Sequence, residues 1–454
     1  MQNNSDEVNI KDKIQNIFQK ENQNELNLDQ SKKNNNIITE PLELRNIYNK
    51  RIFTRKSFNF SLKIKIIFIT IYFIFVIGLE FFYREPLFNE SIILQEYIQR
   101  NPKNLIILKI SKIISFFGAG FDAIFFCLLI FLFMPLNYSI LILQCVIYSA
   151  YFTNTMKMIY QSDRPYWRSN ILTFSCSRGY GNPSGHSFTS INMYLCLWHI
   201  FTKYFKIKGV LKILIFAFCV LFSFLIIISR VILAAHSINQ ILYGTCLGIG
   251  TYFILIHIIG YHQYSSIEFY QHIKKKKVKK IYYMFHIFLL LLSIFIYLFS
   301  EDKDHKGINE KIFNGVRCKK LPEFKRYKND GLFQASSIAG MIGAQFGIDI
   351  LFILLKNNNY MINYTIIEWN KNNKIKFFFL RFFVILISAF GILFYFIIPG
   401  CFPLMAIFSV KGGFAFFFAM AGIYSLGIFI SIQLKIANKD IYKMDALHEI
   451  TAEA

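Results

Sequence analysis

Three clusters of polar residues sit at the edges of long apolar runs: Lys157 with Arg164-Pro165, Pro183-Ser184-Gly185-His186, and Ser229-Arg230 with His236. Between the first two, the stretch "DRPYWRSNILTFSCSRGYGNPSGHSF" (163–188) carries Arg164, Arg168 and Arg178 but a single acid, Asp163. Such a segment suits an anion. Arginine and lysine charges with backbone N–H donors stabilise a phosphoryl group whose oxygens gain charge during transfer. A neutral imidazole can attack phosphorus, and a second, protonated one can give the leaving oxygen its proton. No carboxylate cluster or Cys-x-x-Cys pair suggests Mg²⁺ or Zn²⁺, so the expected chemistry is metal-free and needs no cofactor.

Each cluster also has a plainer reading. Lys157 and Arg164 are two cations able to snorkel at the end of a span. Seven residues apart, they nearly coincide on a helix, about 20° off, and Pro165 disfavours helical geometry at Arg164. Pro183 to His186 can be a capping turn with a spare histidine. Alternatively, Pro183 opens a helix whose free N–H groups face a ligand, Gly185 allows close backbone approach and Ser184 offers a hydroxyl. Arg230 and His236 can be interfacial, although an arginine closing an apolar run is costly without a partner. Three cations, two imidazoles and a helix N-terminus converging on one face favour a site over three separate accidents.

The elements that must position these residues are membrane helices. The chain has 454 residues, of which 54% are hydrophobic and only 17% charged, and the apolar residues come in long blocks. Ten candidate spans are expected, at 64–83, 113–134, 138–157, 186–202, 212–229, 239–258, 281–299, 334–355, 377–398 and 412–434. Each approaches the ~20 residues that cross hydrocarbon as helix; barrel strands would be half as long and alternating. The fold class expected is an all-α, multi-pass transmembrane bundle: a six-helix core over 61–260 and about four further helices over 281–435. A polar, disordered, cytosolic segment (1–60) precedes it and a cytosolic tail (436–454) follows. Gly244 with Gly248, and Gly343 with Gly347, form small-xxx-small faces for close helix packing.

The formal charge of +23 raises nucleic acid as a partner. The basic clusters, such as "KRIFTRKSF" and "IKKKKVKKI", instead flank apolar blocks, where they set orientation and touch lipid headgroups. Nucleic acid is therefore not expected; membrane lipids are. The basic residues before span one, between spans four and five and between spans six and seven agree on a cytosolic N-terminus, which puts the three clusters on the lumenal or exoplasmic face. Cys127, Cys145, Cys196, Cys219 and Cys246 fall in apolar blocks as ordinary small residues. Cys176, Cys318 and Cys401 fall in loops, and a disulfide among them is left open.

The motifs "KMIYQSDRP", "PSGH" and "SRVILAAH" resemble Lys-x6-Arg-Pro, Pro-Ser-Gly-His and Ser-Arg-x5-His of the type 2 phosphatidic acid phosphatase and vanadium haloperoxidase superfamily. The resemblance covers roughly residues 61–260. It implies that Lys157, Arg164 and Arg230 bind phosphate oxygens with help from Ser184 and Gly185. His236 would be the nucleophile forming a phosphohistidine, and His186 the general acid. Where the superfamily usually has Asp four residues after the nucleophile, this chain has Gln240, which can orient the ring but supplies no negative charge. Glucose-6-phosphatase-like members share that Gln and the "RPYW" seen here at 164–167. The span count resembles the branch holding sphingosine-1-phosphate phosphatases and glucose-6-phosphatases, which implies the endoplasmic reticulum or another endomembrane. The expected substrate is a lipid phosphate, with a sugar phosphate as alternative. An inactive phosphate-binding or transport protein is the reading from a different class.

Overall fold

The computed structural model describes residues 56–100, 105–118, 121–134, 136–169, 171, 173–174, 179–263, 269, 272–273, 275–299, 331–332, 334–357, 360–362, 383, 386, 412–433 and 441–443. It is a helical membrane fold. In chain order the helices are α1 (Lys56–Arg100), α2 (Leu105–Phe116), α3 (Phe121–Phe133), α4 (Leu136–Tyr160), α5 (Pro165–Arg168), α6 (Gly185–Tyr204), α7 (Gly209–Ile232) and α8 (Ile238–Phe253). After these come α9 (Lys276–Phe299), α10 (Ile338–Asn357), α11 (Gly412–Gly422) and α12 (Ile428–Gln433). A wider π turn, Ile254–Ile259, prolongs α8, and another, Ile423–Gly427, joins α11 to α12.

Among the described residues, five helical segments are long and apolar enough to cross a membrane: Leu62–Arg100, Asn137–Arg168 (α4 followed by the short α5), Gly209–Ile232, Ile238–Ile259 and Lys276–Phe299. They contain the expected spans 64–83, 138–157, 212–229, 239–258 and 281–299. The span expected at 186–202 is α6, a fully formed but more polar helix whose residues are mostly buried in the bundle. The span expected at 377–398 falls almost wholly outside the described residues, as do residues 1–55 and Cys176, Cys318 and Cys401. The other five cysteines are free thiols, buried or half-buried.

The core is built around α4 and α6, with Leu141, Ile142, Cys145, Met193, Cys196 and Ile200 all buried. Helices α1 and α7 turn Phe68, Phe75, Phe81, Val210, Ile213 and Phe218 outward, as lipid-facing surfaces do. Gly244 and Gly248 let α8 lie against the backbone of α6: an added Cβ would come within 2.6 Å of the Ser184 carbonyl oxygen and 2.7 Å of the Phe188 one. At Gly347 of α10, a Cβ would meet the Ala421 carbonyl oxygen at 2.5 Å.

Four expectations need correction. The span at 113–134 is divided between two short helices: α2 ends at Phe116, Phe117 and Gly118 form a turn, and α3 begins at Phe121. Gly118 fits there because a Cβ would come within 2.6 Å of Ile226 Cγ2. Helix α1 does not stop at 83 but runs on through polar residues to Arg100; hydropathy marks where the hydrocarbon ends, not where the helix ends. Lys157 and Arg164 do not share one helix, since α4 closes at Tyr160 and Gln161 is left-handed, with φ 42°. Finally, an antiparallel pair of three-residue strands, β1 (Tyr360–Ile362) and β2 (Ile441–Lys443), lies where no strand was expected.

Candidate active site

Helix α4 delivers Lys157 in its last turn. The chain then crosses extended through Arg164 (φ −94°, ψ 156°) to Pro165, the first residue of α5. Pro fits there because its missing N–H has no helical partner to lose. Arg164 is a buried brace. Its Nε donates to Gly179 O (2.5 Å), its Nη2 to Tyr180 O (3.2 Å) and its Nη1 to Ala235 O (2.6 Å). Nη1 also donates to His236 Nε2 at 3.2 Å. One guanidinium thus ties the 179–180 strand of loop to the 235–236 turn.

That turn follows α7. Leu233 and Ala234 close the helix, with Ala234 left-handed (φ 51°), and the Arg230 carbonyl accepts from the N–H groups of Ala235 (3.0 Å) and His236 (3.3 Å). The five residues between Arg230 and His236 are therefore one helix terminus folded back on itself. The Arg230 side chain is buried, and its Nη1 donates to Ser115 Oγ at the end of α2.

The state of His236 follows from its partners. The Gly181 carbonyl, 2.8 Å from Nδ1, can only accept, so Nδ1 carries the proton. Arg164 can only donate, so Nε2 presents a lone pair. Burial, then the charges of Arg164, Arg230 and Lys157 and the ring of His186, hold His236 well below the usual imidazole range. It is a neutral ring with Nε2 directed at a cationic centre. Gln240 Oε1 lies 3.2 Å from Nδ1 and also accepts from the Ser237 N–H (3.3 Å), while its Nε2 donates to Asp163 O (2.7 Å).

Ser184 is the N-cap of α6, its Oγ accepting from the Ser187 N–H at 3.4 Å and the Ser187 hydroxyl at 3.0 Å. The helix begins at Gly185, so Pro183 precedes the cap instead of opening the first turn. His186 follows at the second helical position, beside Gly118: a Cβ there would lie 3.3 Å from His186 Cδ2. Arg164, Ser184, Arg230, His236 and Gln240 are buried, whereas Lys157, Gly185 and His186 are half-buried.

All eight residues expected from the sequence meet around this one centre. Others were not anticipated. Besides Ser115 and Gly181, one edge of α1 reaches in: Glu80 Oε1 accepts from Asn182 Nδ2 (2.6 Å) and Asn239 Nδ2 (3.2 Å). Arg84 donates to Ser162 Oγ (2.6 Å), Ser91 Oγ accepts from the Ile238 N–H (2.7 Å), and Gln95 donates to His236 O (2.9 Å). Outside the centre, Arg168 pairs with Asp163 (2.7 Å) and Glu85 (3.1 Å) at the rim. Among the described residues, no group of three or more His, Cys, Asp or Glu is placed to hold a metal ion.

One family model matches part of the chain. Residues 125–264 match the PAP2 superfamily. The PAP2 match runs from α3 to just beyond the 3₁₀ turn Tyr261–Gln263 and includes every one of the eight residues. It supports an enzyme, a phosphatase acting on phosphorylated substrates. Helices α1 and α2, with Glu80, Ser91, Gln95 and Ser115, lie outside the PAP2 segment. No curated protein and no solved structure matches the chain.

Proposed function

We propose that this protein is a metal-independent phosphomonoesterase that dephosphorylates lipid phosphates through a phosphohistidine on His236. The supporting observation is the His236 ring itself. It is held with Nε2 unprotonated by Gly181 O and Arg164 Nη1, in a buried cationic floor. In the first step Nε2 attacks phosphorus and the P–O ester bond breaks. His186 gives its proton to the leaving oxygen. In the second step the neutral His186 takes a proton from water, whose oxygen attacks phosphorus, and the P–N bond breaks to release inorganic phosphate. Charges of Lys157, Arg164 and Arg230, the Ser184 hydroxyl proton and the first N–H groups of α6 face the phosphate oxygens.

The distribution of exposure supports this division of roles. The phosphate goes to the buried floor, and the leaving group stays on the open side beside half-buried His186. A lipid phosphate, whose headgroup would reach the centre from the membrane, is the substrate this reading favours. Gln240 and the Arg164-Pro165-Tyr166-Trp167 run favour the second reading, a sugar phosphate hydrolase of the same chemistry.

Purified protein in detergent with excess chelator should release phosphate from a sphingoid-base phosphate or phosphatidate faster than from glucose 6-phosphate. Strict dependence on added divalent metal would count against the mechanism. Faster sugar phosphate hydrolysis would select the second reading, and phosphate binding without turnover would leave a binding protein.

A further inference from the structure

Glu80 is a carboxylate within the apolar part of α1, yet it is 6% exposed and turned toward the bundle. A buried charge persists only where donors meet it. Here both donors are side-chain amides, and both reach the same oxygen: Asn182 Nδ2 at 2.6 Å and Asn239 Nδ2 at 3.2 Å on Oε1. Asn182 directly precedes Pro183-Ser184-Gly185-His186. Asn239 lies between His236 and Gln240. One carboxylate oxygen therefore grips both histidine-bearing segments, which lie 57 positions apart at Asn182 and Asn239.

We infer that Glu80 is a positioning residue, fixing the distance between the general acid and the nucleophile by clamping their two segments together. It touches no reacting atom and acts through Asn182 and Asn239. The rest of the same helix extends the clamp, Ser91 at the Ile238 N–H and Gln95 at the His236 carbonyl. Displacing a catalytic group by about 1 Å costs on the order of 10²-fold in rate, so the clamp should govern kcat and leave substrate affinity largely alone. The kinetic arm of this inference rests on the phosphatase reading; the structural arm does not.

The test compares full-length wild type with Glu80→Ala, Glu80→Gln and Asn239→Ala in detergent. Amide hydrogen exchange is followed over 179–188 and 234–242, where the Ser184 N–H bonds across to Gln240 O, the Gly181 N–H to Ser162 O and the Ile238 N–H to Ser91 Oγ of α1. Glu80→Ala should deprotect both segments together by about 10-fold or more and lower kcat by about 10²-fold, with KM within about 3-fold. Glu80→Gln keeps a carbonyl oxygen for both amides and should stay within about 3-fold of wild type in kcat and protection. If Glu80→Ala does not fold, Asn239→Ala, which cuts one arm only, should still deprotect 179–188. Unchanged exchange, deprotection of one segment alone, or Glu80→Gln as damaged as Glu80→Ala overturns the clamp. A wild type without turnover would refute the phosphatase reading, and the exchange data would still decide the clamp.

Discussion

The Gly181 carbonyl oxygen lies 2.8 Å from His236 Nδ1, closer than the Gln240 Oε1 at 3.2 Å. The ring is thus oriented first by backbone, and the side chain at 240 has further duties. It accepts from the Ser237 N–H as a helix cap and donates through Nε2 to the Asp163 carbonyl at 2.7 Å. A carboxylate at 240 would set one of its oxygens against that carbonyl. Gln240→Glu should therefore lower kcat by about 10-fold, the scale of one lost buried hydrogen bond, in a phosphate-release assay. A rise in kcat would show instead that negative charge behind the nucleophile is what limits the rate.

His236→Ala removes the attacking nitrogen. Turnover should fall by at least about 10³-fold in chelator-treated enzyme, while the variant still binds inorganic phosphate through the cations. Retained turnover would overturn the nucleophile assignment.

Ser115→Ala removes the Ser115 Oγ acceptor from Arg230 Nη1. A hydrogen bond to a charged group contributes about 1.5–3 kcal/mol, and its loss loosens the guanidinium proposed to bind phosphate. Steady-state kinetics should show kcat/KM down by about 10-fold, and a Ser115→Thr variant should recover most of it. An unaltered kcat/KM in Ser115→Ala would separate Arg230 from substrate.

At Gly118 a Cβ would overlap Ile226 Cγ2 and press on His186. Gly118→Ala should cost about 1–3 kcal/mol, and pairing it with Ile226→Ala should restore much of the thermal stability. Equal loss in the single and double variants would place the strain elsewhere.

Stability should depend on pH through buried neutral histidines. His236 is held well below the imidazole range, and burial with nearby His199, Lys203 and His257 pushes His262 down to about 3. The unfolded chain, titrating near ~6.5, takes up these protons first as pH falls. Stability is then intact above ~6.5 and declines from there toward about 3 for His262. His262→Asn should flatten the curve of melting temperature against pH; an unchanged slope would show that His262 binds its proton equally in the folded and unfolded chain.

The three motifs were legible because each packs its polar residues into a few consecutive positions; the roles given to them are the proposal. The spans containing 138–157, 212–229 and 239–258 were legible because hydrocarbon demands long apolar runs. Hydrogen bonds between distant segments leave no such pattern. Nothing in the local sequence of Ser115 or Gly181 announces Arg230 or His236. Glu80 did leave a trace, a lone acid in "VIGLEFF" of an apolar span, where a charge needs a partner. Ser237-Ile238-Asn239-Gln240 has the Ser-x-x-Gln form of a capping box, which accounts for part of what Gln240 does. The turn at Phe117–Gly118 was hidden because hydropathy averages across it.

The 39 residues of α1 from Leu62 to Arg100 span about 60 Å at ~1.5 Å per residue, twice the ~30 Å hydrocarbon layer. Its polar edge from Glu80 to Gln95 leans on the two histidine segments from the far end of that rod. Hydrophobic mismatch is relieved by helix tilt, and tilting α1 moves its far end the most. With α1 tied to both histidine segments, turnover in vesicles of differing acyl-chain length is the measurement that would show whether helix tilt reaches the site.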